Sequence, residues 1–168
     1  MTIASASVAL NINAVETGAN DMGTPSFSLA RQFLQAFTNG AAANMIDRIF
    51  CDNRTIAAAT NDDLDLAGAL TGPLGAACVF ARVKLLCVQN PSGNDGNVEV
   101  GGAAAAQFAT IFGDVSDKIL IKPGGLLLLY APDAAGYVVT ATTADILRIR
   151  NAGSASQNVP VIIGGSST

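Results

Sequence analysis

Histidine and tryptophan are absent from the 168 residues, tyrosine occurs twice, and charged residues make up 13% of the chain. Lack of histidine removes the commonest general base, the usual triad partner and the commonest metal ligand together. Most of the familiar hydrolase constellations are therefore unavailable, and the chain reads as a non-enzyme. With no tryptophan, only Tyr130 and Tyr137 and mostly apolar-flanked phenylalanines remain for stacking on sugars, which weighs against a host-glycan-binding module.

Cysteine is also scarce. Cys51, Cys78 and Cys87 are odd in number and lack CxxC spacing, so neither a disulfide framework nor a zinc site is expected, and buried reduced thiols are. The nine basic residues are scattered and the net charge is −4, which leaves no footprint for nucleic acid. A membrane-crossing helix needs about 18 continuous apolar residues. The longest candidate, 119–131, is broken by Lys122, Pro123, Gly124 and Gly125, so no membrane partner is expected. Met1-Thr2-Ile3 lacks the basic start and apolar run of a secretory signal, which points to synthesis in a cytoplasm.

What is present is apolar. Hydrophobic residues make up 50% of the chain and the mean hydropathy is +0.41. With charge at about half its usual share, the excess calls for burial between subunits as well as within one core.

Residues 1–23 alternate small or branched apolar residues with Ser, Asn and Thr, which predicts an extended N-terminal arm. Ile3, Val8, Leu10 and Ile12 are its candidate interface residues. Residues 24–168 form the expected body. Ala30, Phe33, Leu34 and Phe37 recur at three- and four-residue spacings, which predicts one short amphipathic helix near 26–38 that packs on the body.

From Ala76 onward, aliphatic runs alternate with Gly, Pro, Asn and Asp. They predict strands at 79–89, 98–100, 118–122, 125–131, 137–141, 145–150 and 159–164, the first two forming a hairpin. The expected fold is mostly β, an antiparallel β-sandwich or jelly-roll-like domain.

Motifs that would carry chemistry fail on inspection. Asn61, Asp63 and Asp65 start a calcium-loop pattern, but Leu66 and Gly72 stand where it needs Gly and Glu, so a solvated turn is expected. Gly101-Gly102, Gly124-Gly125 and Gly164-Gly165 fit no phosphate-binding pattern and read as turns. No catalytic, cofactor-binding or metal-ligating residue is assigned. Arg148 and Arg150 lie on one face of the 145–150 strand, and they join the interface candidates as partners for carboxylates on a neighbouring subunit.

Several stretches then resemble a family of small tailed-phage virion proteins: Asp47-Arg48-Ile49-Phe50, Arg54-Thr55-Ile56-Ala57, the segment 64–70, Phe112-Gly113-Asp114, Pro123-Gly124-Gly125-Leu126-Leu127-Leu128 and the segment 131–137. The likeness runs from about Thr38 to Ile163, and the residues up to about Phe37 have no counterpart in it. It implies a particle component and no catalytic residues. Among virion roles the expectation is a capsid cement or decoration protein. It would sit on the capsid surface, bind the major capsid protein, and form a homo-oligomer expected to be a trimer. A tail, neck or fibre component is the alternative.

Overall fold

The computed structural model describes residues 2–68 and 70–168. Met1, at the start of the expected arm, and Ala69, within the 64–70 motif, lie outside the described residues. Among those residues every regular element is a strand: β1 (Ala6–Thr17), β2 (Ser26–Asn39), β3 (Met45–Ile46), β4 (Arg48–Ile56), β5 (Asn61–Asp65), β6 (Arg82–Gln89), β7 (Val98–Gly101), β8 (Lys118–Ile121), β9 (Leu126–Tyr130), β10 (Tyr137–Val138), β11 (Ile146–Asn151) and β12 (Gln157–Ser166).

The body from β4 onward is a sandwich of two sheets. One holds β10-β6-β12-β4 with β9 also paired to β6, and the other runs β5-β11-β7-β8. Partners nest in sequence, β4 with β12, β5 with β11, β6 with β9 and β7 with β8, and every one of these pairs is antiparallel. A long antiparallel ribbon has thus been rolled until β12 meets β6 and β11 meets β7. That winding defines an eight-stranded jelly roll, to which β10 adds a short extra strand.

Alternation along the strands supplies the core. On β12, Val159, Val161 and Ile163 point inward against Phe50 and Ile56 of β4 and Leu86 and Val88 of β6. Leu64, Val98, Val100, Leu147 and Ile149 face them from the other sheet, with Phe80 and Phe108 fully buried beside them. Each such side chain stabilises the fold by roughly 1.5–3 kcal/mol. The sandwich class and the strands at 118–122, 125–131, 145–150 and 159–164 agree with the sequence reading to within a few residues.

Three expectations are corrected. The helix near 26–38 is strand β2, because Phe27, Leu29, Phe33 and Phe37 also recur at even spacing, and the alternating β1 offers them a partner along its whole length. Short apolar runs fit both periods, and the non-local pairing decides. Secondly, β6 and β7 lie in different sheets, so the loop between them crosses the sandwich and no hairpin forms. Finally, Gly164-Gly165 lies inside β12 opposite a bulge at Lys84 of β6, where the register between the two strands shifts. A Cβ on Gly165 would overlap the Arg82 carbonyl oxygen, so the bulge requires glycine there.

Candidate interaction surface

β1 and β2 pair over twelve residues each way, from Ala6 opposite Phe37 to Thr17 opposite Ser26. The expected arm of residues 1–23 is therefore half of a two-stranded ribbon that extends to Asn39, and the arm boundary moves accordingly. At 12 residues, β1 spans about 40 Å. Neither strand contains glycine or proline, which leaves the ribbon without a hinge.

Pairing sorts the arm's side chains onto two faces. Val8, Leu10, Ile12, Leu29, Phe33 and Phe27 share one, interrupted by Arg31, Gln35 and Glu16. Most of that face is open to solvent, with Phe27 64% and Phe33 47% exposed. The opposite face carries Ser7, Asn11, Asn13, Gln32 and Ser28, with Leu34 and Val15 among them. Val8, Leu10 and Ile12 thus lie together as one apolar row. Ile3 stands apart: its N–H donates to Asn39 Oδ1 (2.9 Å), and it lines a groove of about 280 Å³ with Arg48, Leu74 and Cys78.

The root of the arm is fixed to the body. Phe37 and Ile46 are buried, and Ile46 Cδ1 comes within 3.3 Å of where a Cβ on Gly164 would stand, in contact range of Leu85 at the same spot. Lys84 is fully buried beneath the following loop and its Nζ donates to the carbonyls of Ala41 (2.9 Å) and Ala42 (2.7 Å). Burial pushes its pKa below the ordinary lysine value, Arg82 adds to that effect, and Asp133 and Asp47 oppose it. The Asn44 N–H donates to the Pro132 carbonyl (2.6 Å), a second tie between this loop and the body.

The two outer faces of the sandwich differ in charge. On the β5-β11-β7-β8 face, Arg148 donates two hydrogen bonds of 2.7 Å to Asp63. Alongside, Glu99 takes Arg150 at 3.2 Å and Lys118 at 3.3 Å. Both arginines assigned from the sequence to a neighbouring subunit thus find their carboxylates within the chain. The hydrogen bond from Arg148 holds the Asp63 carboxyl below its usual range. Partial burial raises Glu99, and the bonds from Lys118 and Arg150 outweigh it, leaving that carboxyl lowered as well.

The outer face of the other sheet is built differently. One register row reads Cys51, Ile162, Cys87 and Leu128, and the next reads Asn53, Pro160 and Leu126 beside Gln89. Neither row contains a charge. Cys51 is exposed and Cys87 half-buried, which corrects the expectation that all three thiols are buried; Cys78 alone is, with its Sγ donating to the Ile49 carbonyl. Desolvation raises the pKa of both Cys78 and Cys87.

The acidic cluster is a strand and not a solvated turn, so its carboxylates diverge. Asp62 takes two hydrogen bonds from Arg54 (2.7 and 3.1 Å), Asp63 takes Arg148, and Asp65 accepts from the Ala67 N–H (3.1 Å). The bond with Asp62, reinforced by Asp52, holds the Arg54 guanidinium above its already high value and locks β4 to β5.

Comparison with protein-family models, curated proteins and solved structures finds no match to this chain. The arm and the uncharged rows of the sheet face therefore carry the functional argument on their own physical terms. Sequence reasoning placed Val8, Leu10 and Ile12 on this surface, left Phe27 and Leu29 unassigned, and turned Phe33 inward on a helix. Their alternation with Ser28 and Gln32 was the available signal.

Proposed function

We propose that this protein is a structural component of a tailed-phage particle, a capsid cement or decoration protein that works by binding and not by catalysis. One observation carries the reading: a stiff β-ribbon with an exposed apolar face projects from an ordered jelly roll. A two-stranded ribbon is marginal in water unless its apolar face is covered. A contact with another protein surface supplies such a cover. Further support comes from the motif resemblance between Thr38 and Ile163, and from a fold that recurs in viral capsid proteins, an argument from analogy alone.

The partner is the major capsid protein, and the protein acts as a homo-oligomer, expected to be a trimer, on the outer shell. Binding the assembled shell and not its free subunits stabilises the shell by mass action. Several linked copies of the body strengthen attachment through avidity.

The test uses a shortened ribbon. Val8 and Gln35 lie opposite each other, so joining them through Asn-Gly keeps the register and leaves the root intact. This variant is expected to keep the thermal transition of the body and to bind isolated shells at least tenfold more weakly than the full chain. Undiminished binding contradicts the arm's role.

A further inference from the structure

We propose that the apolar face of the arm docks on the uncharged rows of the outer face of the five-stranded sheet of a second copy of this chain. The inference deepens the oligomer half of the proposed function and is independent of the shell.

Accessible area sets the scale. The chain exposes 8851 Å², whereas a compact protein of 16.9 kDa exposes about 7,700 Å². The excess of about 1,150 Å² exceeds the roughly 800 Å² that each partner gives to a stable interface. It arises where the ribbon stands away from the body with both faces wet.

The chain's own packing points to the surface that fits. Ile46, beside the buried Phe37 at the root of the arm, already lies over Gly164 next to Leu85, at one end of the five-stranded sheet's outer face. The row Cys51-Ile162-Cys87-Leu128 is the next along that face, and it remains half open. A second apolar layer there continues a contact that the chain begins itself. Charge selects the same side, since the opposite outer face carries the Asp63–Arg148 and Glu99–Arg150 pairs, which an apolar ribbon would desolvate at a cost.

The chain leaves its own sheet uncovered. β2 runs from Ser26 to Asn39 without glycine or proline, and most of its side chains from Ser26 to Leu34 are open to solvent. Arm and sheet are different patches, so the contact is heterologous and closes into a ring, or is exchanged reciprocally between two copies.

The experiment needs no shells. Light scattering after gel filtration at micromolar concentration is expected to give the full chain a mass that is a multiple of 16.9 kDa, and Leu10→Asp and Phe33→Asp are expected to return it to a single copy with the thermal transition of the body retained. A monomeric full chain overturns the proposal. Placement is read by crosslinking. An Ile12→Cys chain treated with a short bismaleimide is expected to join to native Cys51 of another copy, and Asn13→Cys, on the opposite arm face, is not. Crosslinking by Ile12→Cys that persists after Cys51→Ser and Cys87→Ser means arms pair with arms, and it overturns the placement. Equal crosslinking from residues 12 and 13, or none from either, does the same. Oligomers that fail to bind shells would sink the proposed function while leaving this inference intact.

Discussion

Arg148 holds Asp63 across the β11–β5 pair with two hydrogen bonds of 2.7 Å, so a residue assigned from the sequence to a neighbouring subunit serves its own chain. The pair links the edge strand β5 to its sheet neighbour β11, and Asp63 is its carboxylate member.

Acid stability follows from that pair. Asp63 and Glu99 are held below their ordinary values of 3.8 and 4.5. A carboxyl depressed in the folded state contributes stability above its unfolded pKa and loses it as pH falls through its folded pKa. Tm is therefore expected to hold from neutral pH down to about 4 and to fall below it. Arg148→Met should lower the neutral Tm by roughly 2–4 °C, the effect of a partly exposed bidentate pair. Its acid decline should be shallower, so that the two curves converge at low pH. Parallel curves would contradict the assignment.

The buried ammonium of Lys84 anchors the arm. Lys84→Met keeps the length of the side chain and removes both bonds to the 41–42 carbonyls. Hydrogen exchange at the Thr38, Gly40 and Asn44 amides, which donate within and beneath this loop, should quicken by about tenfold to a hundredfold. The global Tm should change little, because relief of a buried charge offsets the lost bonds. Unchanged exchange would remove Lys84 from the anchor.

Glycine 165 tests the bulge. Gly165→Ala drives a methyl into the Arg82 carbonyl and is expected to lower Tm by about 4–8 °C. Gly93→Ala, where a methyl meets nothing within 4 Å, is the control and should leave Tm unchanged. Equal effects would mean that β12 absorbs the added methyl by shifting.

Thiol chemistry reports on the sheet face. In the ribbon-shortened variant, one thiol of three, the exposed Cys51, should react rapidly with an aromatic disulfide, while Cys78 and Cys87, with raised pKa values, lag. In the full chain, Cys51 should slow once oligomers form. Identical rates in the two chains would argue against cover on that face.

The strands from 118 onward were legible because Gly and Pro turns bracket most of the aliphatic runs, and Pro123-Gly124 closes its turn with the Gly125 N–H donating to the Lys122 carbonyl. Strand order was not, since no local pattern says that Val161 will face Val88 and not the nearer β11. The even spacing of Val8, Leu10 and Ile12 revealed half of the arm. Its partner stayed hidden because Ala30, Phe33, Leu34 and Phe37 satisfy a helical period equally well, and only the distant β1 resolves the ambiguity. Ion pairs such as Asp63–Arg148 join residues far apart in sequence, so charge spacing alone could not distinguish a partner within the chain from one outside it.

Copy number tests the central claim most directly. On the proposed reading, quantitative mass spectrometry of purified virions would count the chain's copies per copy of the major capsid protein. A ratio of the same order as the capsid protein is the predicted result, because a cement covers the shell. A handful of copies per particle would move the protein to the tail or neck, and its absence from the virion would contradict the account.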